Sequence, residues 1–184
     1  YCEKLITGSS NILKYFFSSD IMNQNNDYPV WIKLYKRELF SNTKFPEGKI
    51  YEDIIMNYNI LQKCNIYVKS TKLVYAYYQR PMSITKSKLM FKHLSLIDVS
   101  KEILLSLYKT DTELIALGRR KVAMSYFSIL AMYIRNGTDL DIHDINRILS
   151  EYKKIKYDYL KTEKSVKIRI ISFFMCINIF LFRR

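Results

Sequence analysis

Glycine and proline are scarce in this chain, which has 4 Gly and 3 Pro among 184 residues, against an average glycine share of roughly 7%. Neither G-x-G-x-x-G nor G-x-x-x-x-G-K-[ST] occurs anywhere. The glycine-rich loops that cradle nucleotide phosphates are therefore excluded. Cysteine is equally thin: Cys2, Cys64 and Cys176 are widely separated and none belongs to a CxxC pair. That spacing supports neither a disulfide framework nor a zinc site, and a reduced, cytoplasmic protein is the natural expectation. The two histidines, His93 and His143, have no acidic or cysteine partner at ligand spacing and read as ordinary surface or helix residues. No secretory signal is present, and a start on Tyr1 instead of Met leads to the expectation that the chain is a piece of a longer protein.

Acidic residues are in deficit, 17 Asp and Glu against 30 Lys and Arg, for a net charge of +13. This excess calls for an anionic partner: nucleic acid, a membrane surface or a phosphorylated substrate. Its location is uneven. From Tyr152 onward there are nine basic residues (Lys153, Lys154, Lys156, Lys161, Lys164, Lys167, Arg169, Arg183 and Arg184) against Asp158 and Glu163, so +7 of the +13 lies in the last fifth of the chain. At 49% hydrophobic and 26% charged the composition is globular, and the length suffices for a real core.

Periodicity divides the chain into a mixed part and a helical part. A short helix is expected over Gly8 to Ser19 behind Thr7 and Ser9. Val30 to Phe40 is amphipathic with helical spacing, Trp31, Leu34, Tyr35 and Leu39 falling three or four apart. A helix opening on two acids is expected from Glu52 to about Lys63, followed by short strands at Ile66 to Lys69 and Leu73 to Tyr78. From Lys88 the pattern is helical only: one apolar face from Leu89 to Leu107, a helix capped by Asp111 or Thr112 that stops at Asn136-Gly137, and a third from about Asp141 to Leu160. The expected fold class is α+β, mostly helical, with two or three short strands followed by a C-terminal helical bundle. The expected organisation is 1–86, a helical extension over 87–163, and a basic amphipathic helix over 164–184.

Three blocks carry a resemblance: VWIKLYKRELF at Val30 to Phe40, FPEGKIYEDIIMNYNIL at Phe45 to Leu61, and LVYAYYQRPMSIT at Leu73 to Thr85. In that order they resemble the C-terminal half of a family 2 glycosyltransferase of the bacterial cell-surface polysaccharide type, over about Thr7 to Ser87. The resemblance implies the acceptor-side part of a GT-A fold and an inverting transfer of sugar from a nucleotide-sugar donor to a glycan or lipid-linked acceptor. It also implies a parent protein whose other half binds the donor with a divalent metal, Mg or Mn, through an Asp-x-Asp motif. Here only Asp139-Leu140-Asp141 matches those letters, after the acceptor motif and just ahead of a helix, where Asp is a common cap. It is rejected as a metal site, and no cofactor is expected in this chain.

The resemblance further assigns roles. Asp53 would be the base that takes the proton from the acceptor hydroxyl, with Glu52 supporting or positioning it. Arg80 would pair with the donor diphosphate, and Ser83 would touch it or hold the loop. Trp31, Lys33 and Tyr35 lie in the block leading to the acceptor; Trp31 either stacks on a sugar or sits in the core, and Lys33 faces either the cleft or solvent. Tyr75, Tyr77 and Tyr78 read as structural. Read without the resemblance, Glu52 and Asp53 are also what a helix dipole favours in a first turn.

Ile170 to Phe182 is a thirteen-residue apolar run broken by Ser172 and Asn178 and flanked by Lys164, Lys167, Arg169 and Arg183-Arg184. It is too short to span a bilayer, which needs about 20 residues. An interfacial helix on an anionic membrane, or a C-terminal helix buried in the core, fits it. The resulting expectation is a cytoplasmic protein, peripheral at the inner face of the membrane and capable of forming a homo-oligomer. A basic module for membrane association or oligomerisation is the alternative function. Nucleic acid is not expected, because the cations gather at an apolar tail instead of interleaving with aromatics on a sheet.

Overall fold

A computed structural model describes residues 3–18, 29–48, 50–70, 72, 75–76, 78 and 87–179. Among them the fold is mostly helical with one small sheet: β1 (Glu3–Thr7), α1 (Ser9–Ser18), α2 (Glu52–Leu61), β2 (Ile66–Ser70), α3 (Ser95–Leu107), α4 (Thr112–Asn136), α5 (Ile142–Leu160) and α6 (Val166–Ile177). The α+β, mostly helical class is thus observed.

The sheet pairs β1 with β2 antiparallel, Leu5 opposite Val68. Its inner face covers Tyr15 of α1: the Tyr67 ring lies 5.7 Å from that of Tyr15. The Lys4 and Lys69 ammoniums lie over the same ring, 4.6 and 5.6 Å from its centroid, where the negative face of the π-system attracts them. Leu5, Ile66 and Val68 face outward. The β1 partner was not anticipated, because only Ile6 of this five-residue strand is buried and no alternation marks it. Of the strand expected at Leu73 to Tyr78, residues 75, 76 and 78 are described and are not in a strand; the rest lies outside the described residues.

The amphipathic stretch Val30 to Phe40 is not one helix. It forms two 3-10 turns, Val30–Ile32 and Arg37–Phe40, with Lys33 extended between them. The β-branched and aromatic residues that open it are weak helix formers, and the periodic Leu34 is fully exposed. No packed stripe rewards a helix here.

Two apolar clusters build the core. One joins β1, α1 and α2 to Val99, Ile103 and Leu107 of α3 and Leu114 of α4. The other joins the rest of α4 to α5, α6, Leu89 and Ile97. Helix α4, 25 residues and so about 37 Å long, runs through both. Its start is fixed by Asp111, whose carboxylate accepts from Leu114 N–H at 2.8 Å and meets Lys14 of α1 at 3.1 Å. Its end is Gly137, at positive φ (73°) with an extended ψ of −171°, a conformation that only glycine adopts cheaply. The segment before α3 is tied to that end: Leu89 N–H donates to Gly137 O, and Asp139 N–H to Leu89 O, both at 3.0 Å.

Asp141 caps α5, accepting from Asp144 N–H at 2.9 Å. Asp139 lies 3.6 Å from Lys88. His93 is fully buried, not on the surface; its Nδ1 accepts from Met90 N–H at 2.9 Å and closes the turn Phe91–Leu94. His143 is exposed.

Candidate functional site

The sequence DIIMNYNIL makes α2 a helix buried on most of its circumference, with Ile54 to Tyr58, Ile60 and Leu61 all inside. Such a helix is held firmly, and its first turn carries Glu52 and Asp53. The residue before it, Tyr51, has φ 66° and ψ 24°, the left-handed region, and no side chain caps the helix. A non-glycine residue there costs about 1–2 kcal/mol, and strain of this kind gathers at functional sites. The loop is pinned from outside by Ser95, whose hydroxyl donates to Ile50 O at 3.1 Å.

Asp53 is half-buried, and loss of water raises its carboxyl above the ordinary aspartate range. The neighbouring Glu52 charge adds to this, while the Ile54 N–H and the Lys121 ammonium draw it back. Lys121 is a buried cation on α4. Burial, and then the Asp53 charge, also raises the Tyr51 phenol. The result is a carboxylate that holds its proton to higher pH than an exposed aspartate does.

The first two sequence blocks meet on α2, beside Asp53. The Tyr35 hydroxyl of the first donates to Asn57 Oδ1 of the second at 2.8 Å. Asn57, fully buried, donates in turn to Asp53 O at 2.9 Å. Burial foremost, with the Cys64 and Asp53 charges, keeps the Tyr35 phenol well above its usual range and therefore protonated. The Trp31 ring of the first block lies 4.4 Å from the Tyr75 ring of the third. Trp31 is 44% exposed and Tyr75 59%, so this is a surface stack, not a core contact. Lys33 turns back on its own loop, its Nζ donating to Pro29 O at 2.8 Å. Arg80 and Ser83 lie outside the described residues.

Sequence reasoning placed Tyr35 in the acceptor block but missed Tyr51, Asn57 and Lys121. Asn57 carries a readable signal, a polar residue within an apolar run, because such a residue must be hydrogen-bonded when buried. Lys121 carries none, since only the packing of α4 brings it toward α2. Among the described residues no three His, Cys, Asp or Glu side chains gather as a metal site. The chain matches no family model, no curated protein and no solved structure.

Proposed function

We propose that this chain is the acceptor-side part of an inverting glycosyltransferase, with Asp53 as the general base. One observation carries the reading: a carboxylate with raised proton affinity lies in the first turn of a buried helix that Tyr35 of the first block joins through Asn57. The base must accept a proton from the acceptor hydroxyl as it attacks the anomeric carbon, and a carboxylate partly withdrawn from water does this better than a solvated one. Glu52 keeps the Asp53 proton affinity up by its charge. Asn57, held by Tyr35, fixes the backbone of the first helical turn. The exposed Trp31–Tyr75 pair offers a stacking surface for the acceptor sugar. Nucleotide-sugar binding, its metal, and the contact of Arg80 and Ser83 with the diphosphate belong in this reading to the parent protein.

The test is release of nucleoside diphosphate from UDP- and GDP-activated hexoses by the parent protein with a glycan acceptor. Asp53→Asn should lower turnover by about 10²–10⁴-fold with the helical circular dichroism unchanged. Turnover equal to the parent's would remove Asp53 from the base role. The competing reading, a basic module for membrane association, is favoured by the outer face of α6 and is compatible with transfer to a lipid-linked acceptor.

A further inference from the structure

Helix α6 has two apolar faces. The inner one packs on α5: Ser172 and Met175 are buried, Ile168, Ile171 and Cys176 are partly so, and the Tyr152 hydroxyl meets Ser172 Oγ at 2.7 Å. The outer one is open to solvent. Val166, Ile170, Phe173, Phe174 and Ile177 are 68, 51, 61, 47 and 61% exposed. At 3.6 residues per turn these five fall on one arc of about 100°. Lys167 and Arg169, both exposed, lie at its two edges, and the helix contains no acidic residue.

We infer that this outer face is a docking surface for an anionic lipid bilayer, with α6 lying in the plane of the interface. The core already claims the inner face, so burial in this chain does not account for the outer one. A contiguous apolar arc bordered on both sides by cations matches a membrane surface: the side chains enter the acyl boundary, while Lys167 and Arg169 reach up to phosphate headgroups. Lys164 just before the helix, and Lys153 and Lys161 on or beside α5, are exposed and add positive potential, whereas Lys154 is paired with Glu151 at 2.6 Å. Twelve residues make α6 about 18 Å long, against a hydrocarbon core of about 30 Å. No described helix is long and apolar enough to cross a membrane. A second copy fits less well, because a self-complementary contact would set cationic edges against cationic edges. The inference does not depend on the sugar chemistry, so vesicle binding and turnover succeed or fail separately.

The experiment is sedimentation of the full chain with phosphatidylcholine vesicles and with vesicles carrying about 30% phosphatidylglycerol, at low and at raised salt. Binding is expected to the anionic vesicles and to weaken with salt. Lys167→Glu with Arg169→Glu should weaken it by about fivefold or more per cation removed. Ile170→Ser with Phe173→Ser should weaken it by at least about tenfold; both positions face solvent, so the fold stays intact. Phe173→Trp in a Trp31→Phe background should shift its fluorescence to shorter wavelength with anionic vesicles only. The inference is overturned by absent binding, by equal binding to both vesicle types, or by binding that the Ile170 and Phe173 changes leave intact. Preferential binding to single-stranded RNA at the same ionic strength, or a dimer that those changes dissolve in the absence of lipid binding, would overturn it as well.

Discussion

What a candidate functional residue can do is set less by its own identity than by what surrounds it, and Asp53 shows this in its linkage to pH. Burial and the Glu52 charge give it a folded-state proton affinity above that of the unfolded chain. The folded protein then holds the proton to higher pH, and stability falls as pH rises from the ordinary aspartate value, about 3.9, through the raised one. Above that value the cost of the ionised carboxylate is fully present. The Ile54 N–H and Lys121 work in the opposite direction but are smaller influences. Asp53→Asn removes the ionisable group, so the variant should melt above the parent at pH 7, with the difference closing below about pH 4. Thermal unfolding across that range measures it, and a variant less stable than the parent at pH 7 would sink the account of a half-buried charge. A site residue that is lost to function yet gained in stability is the pattern expected of a base kept out of water for its chemistry.

At the scale of elements, local signals and tertiary ones part company. Helices α4 and α5 were legible because Asp111, Asp141 and Gly137 punctuate them chemically, and the model places each cap within one residue of its reading. The stretch Val30 to Phe40 misled because helical spacing says nothing about whether a neighbour exists to receive the stripe. In the candidate site, Glu52, Asp53 and the block holding Tyr35 were readable in sequence, whereas Asn57 and Lys121 acquire meaning only through packing. The fixing of α6 to α5 is a tertiary matter as well. The buried Tyr152 phenol, pushed up to about 12 by burial against the lowering effect of Ser172, shares its hydrogen with a buried serine. Tyr152→Phe leaves that serine with a lost partner and should cost about 1–2 kcal/mol. Ser172→Ala should do the same, and the double change should cost clearly less than the sum. Urea unfolding of the four proteins reads this directly; additive losses would mean that the contact does not couple the helices.

Over the whole molecule, chemistry and charge are segregated. The candidate base sits among carboxylates and aromatics, with Lys121 the described cation that acts on Asp53, while more than half of the +13 lies from Tyr152 onward. A nucleotide diphosphate needs a backbone N–H cradle, a cluster of cations or a bound metal. The chain has no glycine-rich phosphate loop, and its described residues hold no metal cluster. Net positive charge raises encounter rates with anions but does not by itself make a site of defined geometry. Titration calorimetry of this chain with UDP-glucose, UDP-galactose and GDP-mannose should therefore give only heats of dilution up to about 1 mM, the weak limit at which binding is worth about 4 kcal/mol. A micromolar Kd for any of them would place a donor site within these 184 residues. It would also end the division of labour proposed here, in which one part supplies the base and the membrane contact and another the activated sugar.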